Sequence, residues 1–282
     1  MIIVILSQQL GNQMFQYALG RHLALSGKDV KYDLSYFDKH TGHDLALPRI
    51  FNLTLPVATR AEVDDLWDER SRLGYRIRRK LFGRDPLLVY EISKECYPRP
   101  FNSRTHTMDH GILYGYWQSE KYFAPSADVI RRDFTFQEPS LRNRELSEEM
   151  ASRTSVGIHV RRGDYQGLYP LLNEKYYASA MNHFNEKYGS VHFYVFSNDL
   201  SWCREHLKAE KITFVDFNSG KDSPYDMWLM TQCKHNIIAN SSFSWWGAWL
   251  NAHKGKEVIA PKEWDFHLKE HPDLYGTDWI TL

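Results

Sequence analysis

Two adjacent arginines, Arg161 and Arg162, stand in the segment HVRRGDY (159–165), just after the apolar run Ser155-Val156-Gly157-Ile158. A guanidinium at the end of a buried strand is a rigid, permanently charged fork that can grip two phosphate oxygens at once. If a pyrophosphate is the leaving group, the same fork stabilises the charge that grows as the bond breaks. Side chains alternate faces along a strand, so the two arginines should not both reach one site. One is expected to face a ligand and the other to serve structure; a salt bridge with Asp164 is the competing use of the pair. His159 precedes Arg161 by two residues and should share its face.

Two more strand-end segments carry polar groups of the same kind. In Ile237 to Trp249, a buried strand runs through Asn240, Ser241, Ser242 and Phe243 into an aromatic helix. The serines can cap that helix or donate to phosphate, and free amides at a helix start favour an anion. Three tryptophans within five residues (Trp245, Trp246, Trp249) can pack in a core, or offer faces to a sugar ring. Near the start, Ser7 to Gln13 holds Gly11, Asn12 and Gln13. A glycine there permits close approach of backbone to a ligand, while the plainer use is a strand-to-helix turn with Asn12 as N-cap. Asn198 and Asp199 end a further strand and can contact a nucleotide or merely shape a turn. Segment 115–120 ends another strand and presents Trp117, Gln118 and Glu120 to the expected cleft. Asp164 and Glu120 are the carboxylates that could serve as a general base.

Other chemistry finds little support. No Asp-x-Asp occurs, although enzymes that hold a sugar diphosphate through a divalent metal commonly need such a carboxylate pair. The histidines have no ligand spacing, and Cys96, Cys203 and Cys233 lie far apart with no CxxC, which argues against a disulfide framework or structural zinc. The 35 basic and 35 acidic residues cancel, so global charge does not suggest a nucleic-acid partner. There is no GxGxxG after a leading strand, as a dinucleotide-dependent oxidoreductase would require.

The elements that must position these residues follow from the apolar pattern. A strand over Met1 to Leu6, a turn over Ser7 to Gly11, a helix from about Asn12 to Ser26 and a strand over Asp29 to Leu34 make one βαβ-like unit. Ile112 to Trp117 reads as another strand. Apolar runs at 155–160, 192–197, 212–217, 235–240 and 257–260 alternate with helical segments, the pattern of a parallel sheet covered on both faces. The polar segment 137–143 suggests a boundary, giving an N-terminal α/β domain over 1–140 and a second over 141–282. The expected architecture is two Rossmann-like α/β domains facing a cleft, with ligands beyond the carboxyl ends of the strands. The opening MIIVILSQQ has no basic n-region and too short an apolar run for a signal or span, so a cytoplasmic location is expected. Residues 70–84 carry seven Lys or Arg and read either as a solvated helix face or as a contact with the inner face of an anionic membrane.

LGNQMFQYA, GYWQSEKYF, HVRRGDY and IIANSSFSWWGAWL, in that order across residues 10–250, together resemble the α-1,2-fucosyltransferases of glycosyltransferase family 11. The resemblance implies a GT-B-like fold with the donor held mainly by the C-terminal half. It also implies metal-independent, inverting transfer of L-fucose from GDP-β-L-fucose to the 2-hydroxyl of a terminal β-galactoside, in surface polysaccharide or oligosaccharide synthesis. GDP-fucose would be the donor substrate, with no metal or other cofactor, and a galactose-terminated oligosaccharide or lipid-linked glycan the acceptor. By the same resemblance Arg161 holds the donor β-phosphate with His159 beside it, Ser241 and Ser242 bind phosphate, and Asn12 faces the donor. Arg162 then becomes the structural partner, to Asp164. The turn reads QQLGNQ where the family usually has glycine before the leucine. The alternatives are a transferase of another GDP-sugar or linkage and a non-catalytic glycan-binding module.

Overall fold

The computed structural model describes residues 1–82, 85, 87–90, 100–265 and 273–282, apart from the side chain of Asp164. The chain forms two compact units, Met1–Gln137 and Glu138–Leu282. In the first, β1 (Ile2–Ile5), β2 (Val30–Asp33), β3 (Leu88–Tyr90) and β4 (Gly111–Tyr114) pair in parallel in the order β2-β1-β4-β3. Its helices are α1 (Leu10–Leu25), α2 (Ser35–Lys39), α3 (Leu47–Phe51), α4 (Arg60–Ser71), α5 (Leu73–Phe82), α6 (Arg104–Thr107) and α7 (Ala127–Asp133). The second unit opens with α8 (Leu141–Ala151), then β5 (Ser155–Val160), α9 (Glu174–Tyr188), β6 (His192–Ser197), α10 (Leu200–His206) and β7 (Ile212–Phe214). It continues with α11 (Pro224–Gln232), β8 (His235–Ile237), α12 (Ser242–Leu250), β9 (Val258–Ala260) and β10 (Ile280–Thr281). These strands are also all parallel, in the order β10-β9-β8-β5-β6-β7.

Burial on both faces explains why β5 reads as a continuous apolar run: all six of its residues are buried. Val156, Ile158 and Val160 pack on one face with Tyr177 and Phe184 of α9 and Cys203 of α10. Tyr194 and Phe196 of β6 face the other way, against Met150 of α8, Met230 of α11 and Ala248 of α12. Gly157 lies on that second face, where a Cβ would come within 3.2 Å of Cys233 Sγ and 3.3 Å of Asn236 Nδ2. Each large side chain so enclosed contributes about 2–3 kcal/mol, and truncating Phe184 to alanine would remove that and leave a cavity. The ends of α9 are set locally: Asn173 Oδ1 caps the amide of Tyr176 at 3.2 Å, and Gly189 ends the helix at φ +71°.

Several boundaries differ from expectation. Helix α1 starts at Leu10, and its N-cap is Gln9 rather than Asn12. Leu10 is 7% exposed, so core packing draws an extra turn into the helix. The connecting turn therefore ends at Gln9, and Gly11 belongs to the helix rather than to a loop. Strand β4 ends at Tyr114 instead of Trp117, because Trp117 takes φ +55° and leaves the pleat. Cys96 lies outside the described residues.

Candidate active site

In an open parallel sheet, the crevice for a ligand lies where the strand order reverses, outside the carboxyl ends. In the second unit this point falls at β5, with β6 on one side and β8 on the other. The segment leaving β5 carries His159, Arg161 and Arg162, and the segment leaving β8 carries Asn240 to Phe243. The two motifs, some 80 residues apart in sequence, thus meet at neighbouring strand ends. The His159 and Phe243 rings are 5.3 Å apart.

Strand alternation divides the doubled arginine. Arg162 turns toward α10: its guanidinium lies 4.1 Å from the Trp202 ring centroid, Nε is 3.7 Å from Asp199 Oδ2, and Nη1 donates to Leu172 O at 3.3 Å. Its backbone amide donates to Asn198 Oδ1 at 3.0 Å. The structural partners of Arg162 are therefore Asp199 and Trp202; the expected partner, Asp164, has a side chain outside the described residues. Arg161, half-buried, shares the His159 face and has its Cζ 5.3 Å from the Tyr165 ring centroid. Burial first, and the Arg161 charge second, push the His159 imidazole down to about 3. His159 is thus neutral near pH 7, and its buried Nδ1 has no hydrogen-bond partner among the described residues.

Helix α12 begins after Ser241, whose side chain makes no capping bond. The first-turn amides of Ser242, Phe243 and Ser244 precede the intrahelical ladder, which opens with Trp245 N donating to Ser241 O at 3.0 Å. Amides with no capping side chain at a strand-end helix start are what an anion requires. The three tryptophans behind them are core: Trp245, Trp246 and Trp249 are 1%, 0% and 4% exposed, so the sugar-stacking use of their faces is withdrawn.

The structure gives three candidate donor contacts other work. Asn240 is buried, with Nδ2 donating to Pro170 O at 2.9 Å and Trp264 O at 3.1 Å. It clamps two loops together, and its Oδ1 is buried without a partner among the described residues. Asp199 caps α10 by accepting from Trp202 N at 3.1 Å while pairing with Arg162. Gln13 is wholly buried: Nε2 donates to Gln8 O and Asp44 O, each at 2.8 Å, and Oε1 accepts from Ala46 N at 3.0 Å. Its amide fixes the turn instead of pointing at a ligand.

The first unit has its own reversal, between β1 and β4. There Gln118 Nε2 donates to Asn12 Oδ1 at 2.7 Å, joining the LGNQ and GYWQ segments across adjacent strand ends. Gln118 Oε1 is buried with no partner among the described residues. Gln16 braces the same place, accepting from Ser7 N at 2.8 Å and donating to Gly115 O at 2.9 Å. Trp117 is 0% exposed and packs at 5.5 Å on Tyr122, so it is core rather than a platform. Glu120 is half-buried in a 3-10 turn (Glu120–Tyr122), where its charge acts on Arg131. The carboxyl ends of this sheet also gather aromatic rings: Tyr90 and Tyr114 are 5.3 Å apart, burial and then nearby Tyr114 raise the Tyr36 hydroxyl above its ordinary value, and Tyr36 stacks on His40 at 4.0 Å.

Sequence reasoning missed this cluster, because separate tyrosines on β3, α2 and β4 have no mutual spacing. It missed Asp226 as well. Burial raises the Asp226 carboxyl to about 7, partly offset by a 2.9 Å hydrogen bond from Asn218, which also pairs with Asn143. A lone Asp in an aromatic helix gives no hint of this. Among the described residues, no group of three or more His, Cys, Asp or Glu is arranged to hold a metal, and no helix is long and apolar enough to cross a membrane.

Two α/β units with parallel sheets have the architecture of GT-B glycosyltransferases, the expected fold class. A family model for glycosyl transferase family 11 matches residues 102–282. The chain is 31% identical to an alpha-1,2-colitosyltransferase of Escherichia coli, covering 93% of this chain and 92% of that one. It is also 31% identical to galactoside alpha-(1,2)-fucosyltransferase 1 of Ateles belzebuth, over 85% of this chain and 62% of that protein. The crystal structure of NodZ alpha-1,6-fucosyltransferase soaked with GDP-fucose matches at a TM-score of 0.50 and 17% identity, covering 88% of this chain and 91% of that one, which shows a shared fold. The chain belongs to glycosyltransferase family 11.

Proposed function

We propose that the protein transfers L-fucose from GDP-β-L-fucose to the 2-hydroxyl of a terminal β-galactoside, with inversion and without a metal. The observation that carries this is the meeting of Arg161 with the uncapped first turn of α12 at the β5–β8 reversal, a place for a diphosphate. In the reaction the bond from fucose C1 to the β-phosphate oxygen breaks with its electron pair leaving on GDP. The galactose oxygen bonds to C1 from the opposite face, and its proton passes to a base or to water. Arg161 and the amides of Ser242 and Phe243 stabilise the departing charge, with Ser241 and Ser242 hydroxyls as further donors. Neutral His159 fills the wall beside Arg161 without adding a competing cation. Asn12, held by Gln118, faces the sugar, and Asn198 fixes the Arg161–Arg162 loop through the Arg162 amide. Glu120 and Asp164 are the carboxylates proposed for the proton.

The test is GDP release from GDP-fucose, with and without lactose or another β-galactoside, repeated in EDTA and with GDP-mannose as donor. Acceptor-stimulated, EDTA-insensitive release confined to GDP-fucose supports the reading; release that stops in EDTA, or that needs another donor, overturns it. The relationship to a colitosyltransferase favours one specific second reading, in which the donor sugar is colitose, a hexose lacking the hydroxyl that fucose carries at C3. Competition between GDP-fucose and GDP-colitose at equal concentration separates the two by their ratio of kcat/KM.

A further inference from the structure

Helix α5 has the sequence LGYRIRRKLF, with no acidic residue and none of its ten residues buried. Leu73, Ile77, Leu81 and Phe82 are 71%, 48%, 71% and 67% exposed, so four of the large apolar side chains most open to water fall on one short helix. Its attachment is one-sided. Tyr75 Oη donates to Glu69 Oε1 at 2.8 Å and Arg79 Nη1 donates to Arg70 O at 2.7 Å, both toward α4. Tyr75 and Arg79 are also the two side chains of α5 that are not fully exposed. At about 100° per residue, Leu73, Ile77 and Leu81 span a sector of about 80° whose centre lies about 180° from the mean direction of Tyr75 and Arg79. The apolar stripe therefore points straight away from the unit that carries it. Lys80 and Arg76 flank it on one side and Arg78 on the other.

We infer that α5 docks the enzyme on an anionic lipid bilayer, with Leu73, Ile77 and Leu81 entering the headgroup boundary and Arg76, Arg78 and Lys80 contacting lipid phosphates. Charge complementarity selects this occupant. A stripe of protein-binding kind would leave three adjacent cations to be neutralised one by one, whereas a sheet of lipid phosphates meets all of them while their aliphatic stems follow the apolar residues down. The position suits it, because α5 contributes nothing to the sheet core of its own unit and can be loaded without disturbing it.

The test is flotation with vesicles of phosphatidylcholine alone, or with phosphatidylglycerol replacing about a third of it. Binding to the anionic vesicles alone is expected, weakening steeply as NaCl rises. Each basic side chain near such a surface contributes roughly fivefold, so the triple variant Arg76→Glu, Arg78→Glu, Lys80→Glu should bind at least about a hundredfold more weakly. The variant Ile77→Glu, Leu81→Glu should also detach. Both should keep the wild-type Tm and the wild-type rate of GDP release with a soluble acceptor, which separates this face from the active site. Equal binding to both vesicle types, or charge-reversed protein that binds as well as wild type, overturns the inference. So does a wild type that ignores vesicles but forms a concentration-dependent dimer that the Ile77→Glu, Leu81→Glu variant abolishes.

Discussion

Replacing Arg161 and Arg162 one at a time should damage two different properties. Arg161 lies on the ligand face of β5, half-buried beside a neutral imidazole, with its Cζ 5.3 Å from the Tyr165 ring centroid. At about 4 Å and an effective dielectric near 20, its charge attracts a phosphate oxygen by about 4 kcal/mol, and the share gained only as the leaving group departs sets the loss in turnover. Arg161→Ala should therefore lower kcat about 10²–10³-fold. Arg161→Lys, which keeps the charge and loses the fork, should recover about tenfold of it. Arg162→Ala instead removes a cation–π contact of about 1 kcal/mol, a hydrogen bond of about 1 kcal/mol and a half-screened ion pair of under about 1 kcal/mol. The resulting loss of about 2–3 kcal/mol lowers the Tm by about 3–5 °C in a chain of this size. Single-turnover GDP release together with calorimetric melting reads both effects. Near-wild-type turnover in Arg161→Ala, or an Arg162→Ala protein that melts normally but does not turn over, would refute the division of roles.

Three further outcomes are expected. Gly20→Ala places a Cβ 2.7 Å from Tyr32 Oη and 2.8 Å from Tyr32 Cε1, and Tyr32 is pinned by donating to Tyr17 O, so denaturant melts should show a loss of about 1–3 kcal/mol. Gln8 holds φ +68°, a left-handed conformation costing a non-glycine residue about 1 kcal/mol, so Gln8→Gly should raise the Tm by about 1–2 °C; a fall would show that the Gln8 side chain is needed in the turn. Because burial holds His159 at about 3, below the ordinary value near 6.5, the unfolded chain takes up a proton there before the folded one does. Its stabilising contribution is complete above about pH 6.5 and is lost as pH falls toward 3; urea melts between pH 7 and 5 should show a shallower decline, by about 1 kcal/mol per pH unit, in His159→Asn.

Sequence alone determined β1, β2 and β4 to β9 and most of the chemistry-bearing segments, but neither β3 nor β10. The continuous apolar run of β5 marks a strand covered on both faces, and alternation along it assigns opposite faces to Arg161 and Arg162. The start of α1 was misplaced because its cap is not a local signal: Leu10 is held by the core, and Gln13 and Gln16 secure the turn through bonds to Asp44, Ala46 and Gly115. Strand order was decided by tertiary structure alone. Only once β8 pairs beside β5, and β4 beside β1, do HVRRGDY and ANSSFS share one crevice, and LGNQ and GYWQ another. Polar residues of one motif also divide between ligand and scaffold according to which carbonyls and amides the packing brings within reach. Gln13 and Asn240 were claimed by backbone groups from distant segments and Asp199 by the Trp202 amide and the Arg162 guanidinium, while Asp226 and the Tyr36–Tyr90–Tyr114 cluster came into view. Hydrogen bonds and burial depend on contacts across the fold, which residue type and spacing along the chain do not encode.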